Sequence, residues 1–265
     1  TEPMVLLSSN YGVPQNRERV VFIGCRNDQE LITEIPATVK EEDKVKVYEA
    51  IWDLNMIGNG EVVNTYNTPT LINEYESTKR LRGVQGEPEK DGHLFSEWSR
   101  TGRLNHRFTF DEAPFYVSSM NDLNVVRKHQ QMELFNHQTS CQNDKVRERL
   151  QIIAEYKDYD AAKKELKEKG LDSQKRNYVV LNPLGQSPTV CTMPDDFIHY
   201  SAYRPMTVRE MARLQSFDDS FVFQGKRQTG GNNRQKEIPQ YTLVGNAVPP
   251  LMARAIANTV LNHIK

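Results

Sequence analysis

The stretch NYGVPQNRERVVFIG, residues 10–24, places three polar side chains directly ahead of a run of apolar ones. Its glycine and proline predict a turn, and the apolar residues that follow predict a buried strand. Side chains at every second position of an extended chain face the same way, so Gln15, Arg17 and Arg19 are expected to form one polar row. Such a row suits a ligand with phosphate or base edges. An edge strand with solvated arginines has the same spacing and stays open as the alternative.

Composition sets the class of protein. The chain has 265 residues, 37% of them hydrophobic, and a formal net charge of −1, which predicts one large globular domain or two small ones. A nearly neutral chain has no overall attraction to nucleic acid or membranes, so any basic surface must be local. No apolar run approaches the roughly 18–20 residues of a membrane span, and we expect a cytoplasmic protein. The chain begins at Thr1 rather than Met, which predicts a trimmed or excised piece.

The cysteine pattern predicts neither disulfides nor a structural zinc site. Cys25, Cys141 and Cys191 are odd in number and far apart, and no two of them form a CxxC pair. We therefore expect a reducing compartment and no bound metal.

Regular elements are predicted at both ends of the chain, around a long irregular middle at residues 58–135. The two ends are therefore expected to meet in one domain, with the middle inserted. The predicted strands cover residues 4–7, 20–24, 178–183 and 188–193, and the predicted helices cover residues 47–54, 144–169 (in two pieces), 207–217 and 249–264.

Two further motifs lie near the end of the chain. In TVREMARLQSF, Thr207 and Glu210 have the spacing of a capping box, which predicts a helix start. In GNAVPP, Gly245 and Asn246 predict a turn, and Pro249 suits the first turn of a helix. Taken alone, each motif is equally typical of an ordinary capped helix.

Together and in this order, the three motifs resemble the C-terminal part of DNA (cytosine-5) methyltransferases. QNRER looks like the Gln-x-Arg-x-Arg motif of that family, RPMTVREMARLQSF like its Arg-x-x-Thr-x-Arg-Glu helix, and GNAVPP like its last signature. EAIWDL and LFNHQTS also stand where the family has similar phrases. One departure is Phe217-Asp218-Asp219, where the family usually has Phe-Pro-Asp, and it affects only the local turn.

The resemblance implies an α/β fold. The chain is expected to hold the C-terminal remnant of a Rossmann-like, S-adenosylmethionine-dependent methyltransferase domain, with an inserted, irregular and partly β target recognition domain. Residues 1–57 would supply the last strands and the pocket motif, and residues 58–185 the target recognition domain. Residues 186–265 would supply the motif helix, the glycine-rich loop and the closing helix. An exposed apolar surface is expected where the rest of the sheet is missing, around residues 20–23 and the closing helix.

The resemblance also implies a reaction: transfer of a methyl group from S-adenosylmethionine to carbon 5 of a flipped cytosine, in a bacterial restriction-modification system. Gln15, Arg17 and Arg19 would line the flipped-base pocket, with Arg19 directed at the cytosine carbonyl and its neighbours holding the pocket and the backbone. The cofactor contacts implied for this chain are Asn246, Ala247 and Val248.

The nucleophile of that reaction is missing from the chain. The family presents its catalytic cysteine after a proline, and no cysteine here follows one, although Cys141 comes closest in wording. The Phe-x-Gly-x-Gly cofactor loop and the Glu-Asn-Val motif are also absent. We therefore expect a chain that is inactive alone and binds S-adenosylmethionine mainly through an N-terminal half. That half would belong to the same parent chain or to a separate subunit.

Double-stranded DNA is the expected substrate. Arginine among glycine and polar residues suits phosphates and base edges, although solvated loops look the same. A DNA-binding module without catalysis and an RNA-directed relative stay open, but a middle region of roughly 120 residues favours major-groove reading of DNA. The candidate DNA contacts are Arg80, Arg82, Arg100, Arg103, Arg107, Arg227 and Arg234.

Overall fold

The computed structural model describes residues 3–51, 54, 57–65, 134–175, 177–193, 196–217, 219, 221–228 and 237–264. Helices and strands mix along these residues, as in an α/β protein. The strands are β1 (Met4–Leu7), β2 (Glu18–Val21), β3 (Val179–Val180) and β4 (Phe197–Ile198). The helices are α1 (Val47–Ile51), α2 (Asp144–Tyr156), α3 (Tyr159–Glu168), α4 (Val208–Leu214), α5 (Gln240–Asn246) and α6 (Pro250–Ile264), with short 3₁₀ turns at Ser8–Tyr11 and Glu41–Asp43.

The predicted helices are largely confirmed. The segment 144–169 does form two helices, and their N-caps, Asn143 and Asp158, each accept a hydrogen bond from a backbone N–H three residues ahead. The closing helix and the capped helix after Thr207 also form. Helix α5 was not predicted, because the Gly-Asn pair that signals a turn lies inside its last turn.

The predicted strands at 178–183 and 188–193 are wrong in extent. The first shrinks to Val179–Val180, which pairs in parallel with β4, itself not predicted. The second forms no strand in the described structure. The reason is visible at Val190, whose backbone N–H and C=O bind two side chains, those of Gln15 and Arg17, rather than a neighbouring strand.

The main hydrophobic core lies between α1, α4 and α5. Residues from separate parts of the chain, including Leu134, Leu181 and Phe197, join the same cluster. Every residue of α4 is buried, so this helix is surrounded rather than lying on a surface. A second cluster packs α2 and α3 together and reaches Ile198 of β4. The described parts of the predicted 58–185 region therefore pack directly on the elements that carry the motifs.

A third cluster joins the antiparallel β1–β2 ribbon to α6. Leu6 lies on the face that packs against the helix, whereas the other face holds the cross-strand pair Val5 and Val20 and is open. Val5 is 63% exposed, Val20 54% and Phe22 74%. The segment 20–24 was predicted to be buried, and this face shows that it is not. The exposure agrees instead with the apolar surface expected around residues 20–23.

The described residues break off at residue 65 and resume at residue 134, and the two ends are hydrogen bonded to each other. Leu134 donates to the Asn64 carbonyl at 2.8 Å, and Thr139 donates to the Glu61 carbonyl at 3.0 Å. We call the antiparallel pairing of residues 61–64 with 134–139 the neck. Residues 66–133 lie outside the described residues.

Candidate functional site

Gln15 and Arg17 lie in the loop between β1 and β2, and both are buried. Within this loop, Gly12 ends the 3₁₀ turn Ser8–Tyr11 with a left-handed φ of 81°, a conformation that favours glycine. The Gln15 backbone then forms a parallel bridge with Ser187, and Asn16 donates to the Ser187 carbonyl at 2.7 Å. The first signature motif is thereby placed beside residues 187–190, which are far away in the sequence.

The side chain of Gln15 joins two segments at once. Its Oε1 accepts from the Val190 N–H at 2.6 Å, and its Nε2 donates to Gln215 Oε1 at 2.8 Å and to the Leu214 carbonyl at 3.3 Å. Gln215, directly after α4, donates through its own Nε2 to the Val244 carbonyl at 2.9 Å. Gln15 and Gln215 are both 0% exposed. The two amides therefore link the first motif to the second, and the second to Val244, the residue directly before the third.

Arg17 binds backbone at two further points of the same network. Its Nη1 donates to the Val190 carbonyl at 3.1 Å and its Nη2 to the Gly245 carbonyl at 2.9 Å. Burial lowers the pKa of the guanidinium, and the charge of nearby Arg19 lowers it further. With an ordinary pKa above 12, the group stays charged at neutral pH. Arg17 thus holds a positive charge inside the protein and fixes the segment before the GNAVPP turn.

Arg19 differs from its two neighbours because it is exposed. Its Nη1 donates to the Glu18 carbonyl at 2.5 Å. The expected row therefore divides: Gln15 and Arg17 face inward and bind the protein, and Arg19 faces outward.

The capping box predicted at Thr207 is present. Thr207 Oγ1 accepts from the Glu210 N–H at 3.1 Å, and Glu210 Oε2 accepts from the Thr207 N–H at 2.8 Å. Glu210 also accepts two hydrogen bonds from Arg204, at 2.9 and 2.7 Å. Burial alone would raise the pKa of Glu210, but the Arg204 charge and hydrogen bonds outweigh it, and the pKa falls to about 2. Glu210 is therefore an ionised carboxylate at the centre of the core.

Two buried histidines lie close to this carboxylate. His199 Nε2 is 3.9 Å from Glu210 Oε1, and His137 Nδ1 is 2.9 Å from Thr207 Oγ1. Burial lowers the pKa of each imidazole to about 4, against the opposing attraction of Glu210. Both histidines are therefore neutral at physiological pH.

The remaining arginines of the second motif stabilise the fold through hydrogen bonds and ion pairs. Arg213 pairs with both carboxylate oxygens of Asp219, at 3.0 and 2.6 Å, and donates to the Ala50 carbonyl. Arg209 donates to the carbonyls of Phe135 and Phe221, at 3.0 and 2.7 Å. The helix thus joins α1, the returning end of the neck and the segment after α4. Asp219, in the turn that follows α4, is the partner of Arg213.

One side of the GNAVPP turn packs against the protein, and the other side is exposed to solvent. A Cβ on Gly245 would lie 2.7 Å from the Cys191 carbonyl oxygen, so only glycine fits. Beyond it, Asn246 is exposed, Ala247 is half-buried and Val248 is 60% exposed. The three proposed cofactor contacts are accordingly accessible. The close packing of Gly245 against the Cys191 backbone fixes their position.

Of the proposed DNA contacts, the structure describes Arg227. It is half-buried and donates to Ser140 Oγ at 3.0 Å and to the Tyr241 hydroxyl at 3.5 Å, so part of its role is structural. The others lie outside the described residues: Arg80, Arg82, Arg100, Arg103, Arg107 and Arg234.

The described residues contain neither a candidate metal site nor a helix that could span a membrane. Among them, no group of histidine, cysteine, aspartate and glutamate could hold a metal ion. No helix in the described part of the chain is long and apolar enough to cross a membrane.

A cleft of about 470 Å³ lies away from the motif network, between the start of α2 and the turn before Arg204. Its acidic and basic side chains are already paired with one another or with neighbours, as in Arg147 with Asp144 and Arg204 with Glu210. The signature residues Gln15, Arg17 and Arg19 do not line it. The residues that line it are Ile57, Gly58, Asn59, Gln142, Asp144, Arg147, Glu148, Leu150, Gln151, Ala202, Tyr203 and Arg204.

The sequence did not reveal the role of Gln215. It stands in RLQSF, inside the second signature, but helical periodicity gives no reason for a buried amide there. The available signal was a polar residue directly after a helix, which is too common to be specific.

Comparison with known proteins identifies relatives along the whole chain. The chain is 30% identical over 262 residues to the type II methyltransferase M.DdeI of Desulfomicrobium norvegicum, covering 97% of this chain and 53% of that protein. It is 25% identical over 275 residues to M.XorII of Xanthomonas oryzae, covering 100% of this chain and 51% of that protein. The chain thus spans about half the length of these two curated relatives.

A third relative is much shorter. The type II methyltransferase M.AquIB of Picosynechococcus is 42% identical over 89 residues, which are 33% of this chain and 64% of that protein. The family model for the C-5 cytosine-specific DNA methylase matches residues 1–262. All three signature motifs fall within that match, and the structure joins them in one buried network, so the chain belongs to the C-5 cytosine-specific DNA methylase family.

Proposed function

We propose that this chain is the C-terminal, sequence-recognising part of a DNA (cytosine-5) methyltransferase of a bacterial restriction-modification system. Its whole enzyme would transfer a methyl group from S-adenosylmethionine to carbon 5 of a flipped cytosine. The observation that carries this proposal is the division of the polar row. Gln15 and Arg17 use their hydrogen bonds to join the three motifs, and Arg19 is left at the exposed end.

Arg19 is the proposed contact to the flipped base. A guanidinium offers a planar fork of donors, which matches the carbonyl oxygen and ring nitrogen on one edge of cytosine. Arg17 lies close enough for its pKa to be lowered by the Arg19 charge, so this end of the row is electropositive. A positive edge favours the electron-rich side of a base and stabilises negative charge that develops on it.

The nucleophile is proposed to come from outside this chain. Cys25, Cys141 and Cys191 are exposed, and none of them follows a proline. Burial raises the pKa of the Cys191 thiol, Asp196 raises it further, and Arg17 opposes both. A thiol with a raised pKa is a poor nucleophile, because the thiolate is the reactive form. We therefore expect the chain to be inactive without its other half.

The GNAVPP turn fits one edge of a cofactor site. The exposed amide of Asn246 can both donate and accept, and Val248 offers an apolar surface next to it. When bound, S-adenosylmethionine supplies the methyl group. In this chain the role of Asn246, Ala247 and Val248 would be to hold one side of it, with the rest of its site provided by the N-terminal half.

The open face of the β1–β2 ribbon is the proposed seat of that N-terminal half. A two-stranded ribbon is marginally stable in water, and an exposed apolar face on it favours a covering partner. The length of the longer relatives leaves room for such a half in the same chain. The short relative M.AquIB, of which 89 matched residues form 64%, favours a separate subunit as a second arrangement.

Sequence recognition is proposed for the inserted region, 58–185, with double-stranded DNA as its ligand. The neck supports an insertion, because it brings residues 61–64 and 134–139 together at one place on the core. The arginines named above are the candidates for contact with DNA, and Arg100, Arg103 and Arg107 are the first candidates for base reading.

The test is a methylation assay with tritiated S-adenosylmethionine. The whole protein, this chain alone, the N-terminal half alone and a mixture of the halves are each incubated with mixed-sequence duplex DNA and, separately, with tRNA. We expect label in duplex DNA with the whole protein and the mixture, and background with either half alone. Incorporation by this chain alone would overturn the half-enzyme proposal, and label in tRNA only would overturn the choice of DNA.

A second assay assigns specificity. Residues 60–185 of the whole enzyme are replaced by the same region of a relative with a different site, and methylated cytosines are mapped by bisulfite sequencing. We expect the hybrid to methylate the site of the donor. An active hybrid that keeps the original site would show that recognition lies elsewhere.

A further inference from the structure

We propose that Gln215 is a positioning residue for the methyl-transfer site. Its amide sets the orientation of Gln15 and the position of the GNAVPP turn at the same time. This inference rests on the function proposed above, since it concerns the same site. Gln215 lies at the end of α4, is 0% exposed, and contacts the first motif and Val244, directly before the third, through different atoms.

The direction of each amide is fixed by the backbone at the two ends of the pair. The Val244 carbonyl can only accept, so the Gln215 atom that faces it must be the nitrogen. Gln215 then presents its oxygen to Gln15, which must answer with its own nitrogen. The remaining oxygen of Gln15 meets the Val190 N–H, which can only donate. No other arrangement of the two amides satisfies every group.

Gln215 holds the GNAVPP turn in place together with neighbouring residues. It binds Val244 in the last turn of α5, next to the Gly245 carbonyl that Arg17 binds. The residue that follows it, Ser216, accepts from the Leu251 N–H at the start of α6 at 3.2 Å. Residues 215 and 216 therefore hold both sides of the turn that presents the proposed cofactor contacts.

Changing Gln215→Glu keeps the shape and removes one donor. An ionised carboxylate cannot donate to the Val244 carbonyl, and it places two acceptors face to face in a buried site. Burial raises the pKa of a carboxyl group, so protonation at lower pH restores a donor of nearly the same geometry. The variant is accordingly expected to lose activity at alkaline pH and to regain it as the pH falls. A residue that only fills space would not produce this pH dependence.

The charged groups near this position are few and mostly paired. From the β1–β2 loop, Arg17 reaches the neighbouring Gly245 carbonyl. From α4 and the segment after it, Arg213 is bound to Asp219. From the segment 187–193, the titratable group is the Cys191 thiol, whose raised pKa keeps it neutral at pH 7.

The experiment compares Gln215→Glu with Gln151→Glu in the whole enzyme. Gln151 is exposed on α2 and makes the same change of charge away from the network. At pH 8 we expect Gln215→Glu to lose kcat by roughly tenfold or more, the effect of an unsatisfied buried group. At pH 6 most of that loss should disappear relative to wild type, whereas Gln151→Glu should follow wild type throughout. Equal pH profiles for the two variants would overturn the proposal.

A second readout does not depend on activity. Hydrogen exchange of the Val190 N–H is measured in this chain, in wild type and in Gln215→Met, which fills the space without an amide. We expect exchange at Val190 to be roughly tenfold faster in the variant. The Leu171 N–H, which binds the Leu166 carbonyl at 2.7 Å in a separate cluster, is the internal control. Unchanged exchange at Val190 would contradict the role of Gln215.

The two readouts separate the possible failures. A whole wild-type protein that methylates no DNA contradicts the proposed function, and the exchange experiment still tests Gln215. An active wild type with an unaffected Gln215→Glu variant contradicts the positioning role alone.

Discussion

Arginines in the three motifs have opposite roles, and burial separates them. Arg17, Arg204, Arg209 and Arg213 are buried, and each binds backbone carbonyls or a carboxylate. Removing one partner of such a buried pair costs about 3–5 kcal/mol, because it leaves an uncompensated charge. These four side chains therefore stabilise the arrangement of the motifs, and Arg19 is the member of the group that is free to meet a ligand.

Replacing Arg19 by alanine should slow the reaction without weakening the fold. In the whole enzyme, loss of a charged donor from the proposed base site removes about 2–4 kcal/mol of transition-state stabilisation, which is roughly a 30- to 1000-fold loss in kcat. The free energy of unfolding of this chain should barely change, because the side chain is exposed. The matched control is Arg26→Ala, at an arginine whose side chain is 77% exposed and pairs with Asp28. Normal turnover of Arg19→Ala would exclude the contact with the base.

The two neutral histidines predict an acid-sensitive fold. His137 and His199 have a pKa of about 4 in the folded chain and 6.5 in the unfolded one. Between these values the unfolded state binds protons that the folded state does not, so the free energy of unfolding falls as the pH drops from 6.5 to 4. The loss is at most about 3 kcal/mol for each histidine. Glu210, with its lowered pKa, adds a separate loss below pH 4.5.

Urea unfolding at pH 7.5 and at pH 5 measures this effect. Changing His137→Gln and His199→Gln together should flatten the dependence of the free energy of unfolding on pH. His263→Gln, at an exposed histidine at the end of α6, should leave the dependence as in wild type. A double variant with the full wild-type dependence would contradict the assignment to these two residues.

Helix α5 shows how a single element is fixed by what packs against its end. In its last turn the carbonyls of Val244 and Gly245 are bound by Gln215 and Arg17, and Gly245 lies against the Cys191 backbone. Alanine is normally favoured over glycine within a helix by up to about 1 kcal/mol. At this position the clash at 2.7 Å is with backbone, which cannot move aside as a flexible side chain would.

Gly245→Ala should therefore lower the free energy of unfolding, by about 1–3 kcal/mol, despite the gain in helix propensity. In the whole enzyme the same change should raise the KM for S-adenosylmethionine, because it shifts the turn that carries Asn246. Gly24→Ala is the control, since an added Cβ there meets nothing within 4 Å. An unchanged free energy of unfolding in Gly245→Ala would show that the backbone of residues 190–191 moves aside to make room for the added Cβ.

Sequence patterns predicted the helices more accurately than the strands. Local signals such as Asn143, Asp158 and Thr207 determine where helices begin, and each of them lies in the element that it caps. The segment around Val190 has a strand-like composition, but its backbone is satisfied by side chains 173 and 175 positions away. No local pattern contains that information. The motif order likewise predicts the family, but not which arginine of the row stays exposed.

At the scale of the whole molecule, the described structure exposes an apolar surface on the β1–β2 ribbon. Val5, Val20 and Phe22 lie together on the open face of the ribbon. At the other end of the chain, Leu261 and Ile264 of α6 are 54% and 70% exposed. These residues belong to elements that the proposed N-terminal half would cover.

Changing Val20→Lys and Phe22→Lys together should weaken association between the two halves roughly 100-fold, because two large side chains lose their burial. Isothermal titration of the purified halves measures the Kd. Leu184→Lys, at an exposed apolar residue elsewhere, should leave the Kd unchanged. Equal affinity in both variants would show that the other half binds a different face.

The neck also bears on how the proposed enzyme could acquire new specificities. Residues 61–64 and 134–139 hold the two ends of the intervening segment side by side, so a change in the length of that segment can leave this pairing in place. Each doubling of a loop costs only about 0.6 kcal/mol in closure entropy. Under the proposed function, this segment could be lengthened, shortened or exchanged while the buried network of the three motifs stays in place. A library of segments grafted between residues 65 and 134 of the whole protein would test whether its specificity can be redirected in this way.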